Sequence, residues 1–241
     1  MSSKETGHAK NIANLKLLHT HILEVENYNP SNSKLSPANL LSLYAAAFQA
    51  QEAVNTLSAP YSNAVNDRQA VFAPVSRLVT KLRKAYKATE NVNQAELENF
   101  MSIARKIKGN QKKQKPIIET TAPGEEEYQH SSSQLSFDQR TNNLDLLISL
   151  LQNTPTYLPN EQEFTTASLQ VLKQNMLDST QQVADAFVPL NNARSKRNLT
   201  LYNAEDNLVD TANKAKDYLF TILDTSSPQY KAISKIKFKN R

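Results

Sequence analysis

Pro60-Tyr-Ser-Asn63-Ala64-Val-Asn-Asp-Arg68 returns, 129 positions further on, as Pro189-Leu-Asn-Asn192-Ala193-Arg-Ser-Lys-Arg197. The same offset carries Asn14-Leu15-x-Leu17-Leu18 onto Asn143-Leu144-x-Leu146-Leu147, and Tyr28-x-Pro30 onto Tyr157-x-Pro159. It also carries Ala38-x-Leu40-x-x-Leu43 onto Ala167-x-Leu169-x-x-Leu172, and Lys106-Ile-Lys108 onto Lys235-Ile-Lys237. The register holds without a gap from Asn14 to Arg68, and one extra residue enters after Arg197. The chain reads as a tandem duplication, and repetition of this kind constrains architecture before any motif is considered. The repeats are 1–108 and 140–241, with a linker over 109–139.

Working outward from Pro60, the apolar period is helical. Leu40, Ala47, Val54, Tyr61, Arg68, Val75 and Leu82 lie seven apart. Three residues after each come Leu43, Ala50, Leu57, Ala64, Val71, Leu78 and Ala85. This is a heptad seam in which only Arg68 is polar. The seam passes through Pro60 without a change of phase, whereas a hairpin turn normally resets it. The spacing therefore predicts one helix over 37–88, kinked at Pro60 by the missing N–H. A hairpin at Ser58–Asn63 is the alternative. Its counterpart Ala186–Asn192 is apolar and poor as a turn.

Shorter elements flank the long helix. Leu15, Leu18, Ile22 and Val25 predict a helix near 9–26. Ser36 and Thr165 stand as N-caps, with Pro37 at the first helical position. Gln94–Lys108 and a short helix opened by Ser227-Pro228 close the two repeats. The three glycines, Gly7, Gly109 and Gly124, all fall outside 11–108 and 140–241. Glycine is costly inside helices, so its absence favours few, long ones. The expected fold is all-α: an elongated helical bundle, each repeat with one long Pro-kinked helix plus two shorter helices. A 50-residue helix is about 75 Å long and two short neighbours cannot cover its seam, so the repeats are expected to pack together.

Composition narrows the function classes. Hydrophobic residues make up 39% and mean hydropathy is −0.57, which suits a thin helical structure better than a thick core. There is no cysteine, hence no disulfide frame and no thiolate chemistry. The start lacks a signal-peptide core and no segment has the roughly 20 apolar residues of a membrane span. A cytoplasmic address and no membrane partner are expected. Net charge is +5 and pI about 9.2, a mild basic excess rather than the dense patch of a dedicated nucleic-acid binder.

No residue pattern nominates catalytic chemistry. His8, His19, His21 and His130 never take the i, i+4 spacing of a helical metal site. The acid pair Glu161/Glu163 aligns with Asn32 and Lys34, so no paired carboxylates recur. Glycine-rich phosphate loops are missing from both repeats. The expectation is no catalytic residues, no metal and no cofactor.

Two polar constellations stand out. Asn63, Arg68, Asn192 and Arg197 keep their identity in both repeats. The arginines read as register-setting polar residues on the seam and the asparagines as partners for carbonyls freed by the prolines, with a paired anion site as the functional counterpart. Both arginines are expected to be substantially buried, and Asp67 and Glu52 are candidate partners for Arg68. Arg77, Lys81 and Lys84 line one helix face, and Lys235 and Lys237 lie in a basic tail; such groups can neutralise phosphates. The commoner reading is a solvated face and a fraying tail.

Ser136-Phe-Asp-x-Arg140-x-x-Asn143-Leu144, the Pro-x-x-Asn-Ala-x-x-x-Arg core and the ending Ser227-Pro-Gln-Tyr-Lys-x-Ile-x-x-Ile-Lys-Phe238 resemble a family of conserved hypothetical proteins of Bacteroidota. The resemblance spans nearly the whole chain, and its ending is the most specific part. It implies a bacterial source and supplies no catalytic residues. The functional expectation is a non-enzymatic scaffold or protein-binding protein, with a protein partner or self-association. The alternative is a nucleic-acid-associated protein using the basic face and tail.

Overall fold

A computed structural model describes residues 7–109 and 136–240. Among them every regular element is helical. The elements are α1 (His8–Leu23), α2 (Pro37–Phe72), α3 (Val75–Ala88), α4 (Gln94–Lys108), α5 (Phe137–Gln152), α6 (Thr166–Asn198), α7 (Leu208–Ile222) and α8 (Pro228–Ser234). Short 3-10 turns, Ser33–Leu35 and Gln162–Phe164, precede the long helices. Most of the stretch read as a linker, 110–135, lies outside the described residues, and His130 with it.

Local sequence explains the ends. Ser36 and Thr165 accept the N–H groups of Asn39 and Ser168 at the starts of α2 and α6. Asn93 and Glu96 form a reciprocal capping box on α4. Gly109 ends that helix at φ 73°, a left-handed conformation that disfavours a side chain. Ser227 caps α8, with Pro228 in its first turn. The opening elements of the two halves start 129 residues apart, α1 and α5 at 8 and 137, the two 3-10 turns at 33 and 162, and α2 and α6 at 37 and 166, whereas the closing helices do not keep that offset.

Both long helices are bent and run unbroken through Pro60 and Pro189, so neither proline opens a hairpin. The expected continuation to residue 88 is corrected: α2 stops at Phe72, and Ala73-Pro74 turns the chain before α3. Each half therefore has three shorter helices after or before its long one, not two. Proline disfavours helical backbone at the residue before it and withholds a donor. Pro60 carries this defect on an exposed face, whereas Phe72 and Val75 are fully buried on either side of the second site. The break lets both enter one core. In the second half, the extra residue after Arg197 is absorbed as a π turn, Leu199–Asn203, closed by Ala204 N–H to Leu199 C=O at 2.9 Å. One inserted residue shifts an i→i−4 bond to i→i−5.

The chain divides into two compact units, and the division crosses the sequence repeats. One unit comprises 1–62 with 186–241, the other 63–185. In the first, α1 packs on α7 and α8, and its core is built on Leu15, Leu18, Ile22, Leu40, Leu208, Ala212 and Leu219. In the second, α4 packs on α3 and α5, around Phe72, Leu82, Tyr86, Phe100, Leu144 and Leu147. Tyr86 stacks on Phe100 at 4.9 Å and bonds Thr154. Each unit is thus made from the opening of one sequence repeat and the closing helices of the other.

Candidate functional site

The four retained polar residues do not form one layer. Asn63 and Asn192 are exposed, and neither makes a side-chain hydrogen bond to another described residue. Arg68 and Arg197 are half-buried rather than deeply buried, and their described partners lie in different units. Arg197 lays Nε and a terminal nitrogen on Asn198 Oδ1, at 3.2 and 3.0 Å. Arg68 finds neither Asp67 nor Glu52. Its guanidinium carbon sits 3.9 Å from the centre of the Phe137 ring, a cation–π contact from α2 to α5.

The Phe137 contact belongs to a cluster of four residues that sequence periodicity could not assemble. Phe137 meets Phe72 edge to face, at 4.8 Å and 84°. Arg140, one turn along α5, lies 5.3 Å from the Phe72 ring and donates to the Phe72 carbonyl at 3.2 Å. Burial alone lowers the pKa of Arg140. The side-chain Nε of both Arg68 and Arg140 is closed off from solvent without a hydrogen-bond partner. The motif Phe137-x-x-Arg140 was visible in the sequence, but nothing there tied it to Arg68-x-x-x-Phe72.

The basic face is present on α3. Val75, Val79, Leu82 and Tyr86 are buried on one side, and Arg77, Lys81, Arg83, Lys84 and Lys87 are exposed on the other. Lys81 is partly committed, pairing with Glu163 at 3.0 Å. Arg83 also borders a cleft of about 230 Å³ between α3 and α4, with Arg105 and Lys108 on its rim. Lys235 and Lys237 are exposed in the other unit. Their segment does not fray: buried Asn14 donates to the Lys237 carbonyl at 2.8 Å. Buried Asn11 takes both the N–H and the carbonyl of Lys239.

A third feature is apolar. Leu17 on α1 and Phe48 on α2 are each 47% exposed. Lys16 over the Tyr44 ring joins α1 to α2, and Tyr44 contacts Phe48. The equivalent residues of the other unit, Leu146 and Leu177, are 48% and 46% exposed. There an ion pair between Lys173 and Asp145, at 2.8 Å, takes the places of Tyr44 and Lys16. Exposure at Leu17 and Phe48 was not foreseen, because both merely fall off the seam.

Among the described residues no group of three His, Cys, Asp or Glu could hold a metal ion, and no helix is long and apolar enough to cross a membrane. No family model, curated protein or solved structure matches this chain.

Proposed function

We propose that this protein is a non-enzymatic helical scaffold, built by tandem duplication, that binds a protein partner through an apolar surface presented twice. The observation that carries the reading is the recurrence of Leu17 with Phe48 as Leu146 with Leu177, at matching exposure. Single exposed apolar side chains are ordinary, but large ones left exposed at equivalent positions of both units are candidates for an interaction surface. The residues between them have diverged, from Lys16 and Tyr44 to Asp145 and Lys173, while the apolar pair has stayed apolar. The resemblance to the Bacteroidota family makes a lysate of such a bacterium the place to look. Affinity capture there should retain a defined protein. Phe48→Asp with Leu177→Asp should release it while the helical circular dichroism is unchanged. Equal capture by the double variant would remove the surface from the account. Turnover in a broad substrate screen, lost in Arg68→Ala and Arg197→Ala, would overturn the non-enzymatic reading.

A second reading, association with nucleic acid, has its own observation: α3 displays five exposed cations and contains no acid. Counterion release then demands that affinity fall as salt rises, by roughly 0.9 in log–log slope per phosphate neutralised. Titration of duplex DNA and RNA across a salt series decides it. Lys84→Gln and Arg77→Gln should flatten the slope, and no affinity at low salt would end this reading.

A further inference from the structure

We propose that Arg68 and Arg140 form an oxyanion site in the 63–185 unit, and that it takes a phosphate group. Two guanidinium groups are held at one pair of phenyl rings, Arg68 over Phe137 and Arg140 over Phe72, with the rings in edge-to-face contact. Of the donors on these two groups, the only one used within the described residues is that from Arg140 to the Phe72 carbonyl. Both Nε atoms are shut off from water and unpartnered, and no described carboxylate pairs with either residue. A buried donor without a partner is costly. An anion that accepts from both residues offsets that cost.

The other unit supplies an internal control. The residues at the equivalent positions are Arg197, Tyr202, His8 and Asn11, allowing for the one-residue insertion. There the cluster closes on itself. The rings of His8 and Tyr202 stand 5.5 Å apart, and His8 Nδ1 meets the Tyr202 hydroxyl at 2.9 Å. Asn11 reaches the same hydroxyl at 3.4 Å and ties down the backbone of Lys239. One place in the fold therefore holds a self-satisfied polar network in one unit and two cations with open donors in the other. The aromatic pair is retained in character, while the change from Asn11 to Arg140 adds the second positive charge.

Phosphate fits for three reasons. It carries up to two negative charges against two positive ones. Its oxygens suit the planar fork of a guanidinium, which binds oxyanions through two parallel N–H groups. The ring contacts already restrain both guanidinium groups, so less side-chain freedom is lost on binding. Free phosphate and a phosphate ester share this chemistry.

The test is calorimetric titration of the full chain with inorganic phosphate and, separately, with O-phosphoserine, at constant ionic strength set by chloride. A saturable one-site heat is expected with at least one of them, and which one binds identifies the source. Arg140→Gln should weaken binding at least tenfold. Arg197→Gln, in the equivalent place of the other unit, should leave it within twofold. Because Arg68→Gln could loosen the end of α2, Arg140→Lys provides the milder variant. It keeps the charge and loses the fork, and should weaken binding less than Arg140→Gln with an unchanged melting curve. No saturable heat with either ligand, binding indifferent to Arg140→Gln and Arg140→Lys, or equal weakening by Arg197→Gln would each overturn the site. Saturable binding of succinate but not of phosphate would overturn the choice of ligand.

Discussion

Tyr28 and Tyr157 each tie a loop to the 3-10 turn that follows it. Their hydroxyls donate to the carbonyls of Leu35 and Phe164, at 2.7 and 2.8 Å. A net hydrogen bond of this kind contributes about 1 kcal/mol, so Tyr28→Phe and Tyr157→Phe should each lower unfolding stability by that order in urea titrations. Burial, assisted by neighbouring Tyr218, pushes the Tyr28 hydroxyl up from 10 to about 12. The folded state keeps this proton longer than the unfolded chain does. The resulting stability is complete below pH 10 and is lost as pH rises towards 12, and Tyr28→Phe should remove that part of the alkaline decline. His19 behaves in the opposite sense. Burial first, and Lys16 second, lower its pKa below 6.5, against a backbone hydrogen bond with Pro37 that raises it. Stability linked to His19 is full above pH 6.5 and falls as pH drops below it, because the unfolded chain binds the proton more readily. Melting temperatures between pH 7.5 and 5 should therefore decline less in His19→Gln; an identical slope would show that His19 does not carry the effect.

Among the elements, the long helices show how far a periodic signal reaches. All fourteen seam positions from Leu40 to Ala85 are buried or half-buried, and none is exposed. The seam therefore predicted which face turns inward even where the helix itself is interrupted. It could not show the interruption at Ala73-Pro74, because the apolar phase on either side is continuous. Pro60 presents the converse case, an exposed proline kept inside a helix. A proline in a helix interior costs about 3 kcal/mol through the lost bond and the clash with the preceding turn. Part of that cost is already relieved here by bending, and proline also restricts the unfolded chain by about 1 kcal/mol. Pro60→Ala should therefore raise stability by about 1–2 kcal/mol in urea unfolding and straighten α2. A fall in stability would mean that the bend itself is needed for packing. Within the 63–185 core, Leu82 is fully buried, and Leu82→Ala should cost about 2–5 kcal/mol by the same measurement.

For the whole molecule, the decisive fact is that neither half of the chain forms a compact unit by itself. Helix α1 from the first half packs on α7 and α8 from the second, and α5 from the second packs on α4 from the first. Residues 1–109 alone would leave α1 without α7 and α8, and α4 without α5. Expressed separately, 1–109 and 136–241 should each show low helicity and no cooperative melt. Mixed, they should recover helix and a sigmoidal transition in circular dichroism. Two fragments that each melt cooperatively alone would contradict the crossed arrangement. The surface charges match this pairing. Lys34 of the first half meets Asp206 of the second, while Glu163, the position equivalent to Lys34, meets Lys81. Two first halves paired with each other would bring Lys34 to a cationic stretch of α3. Opposite signs thus favour unlike halves, although exposed pairs contribute little to stability by themselves.

The helical class, the cap residues, the inward faces and the 129-residue recurrence were legible in the sequence because each is local or periodic. A capping box needs only four neighbouring residues, and a heptad needs only the geometry of its own helix. The candidate site was half legible. Arg68 stands out in the sequence as the polar residue of an apolar seam, but the nearby carboxylates Asp67 and Glu52 are not its partners; Phe137 is, with Arg140 completing the cluster. What only the tertiary structure decided was who packs with whom: α1 on the later helices, α5 on the earlier ones, and two arginines on one pair of rings. Similar apolar faces, repeated at a fixed offset, can bury themselves within a repeat or across repeats. Nothing local distinguishes these outcomes, and the choice falls to the combined packing of residues far apart in the chain.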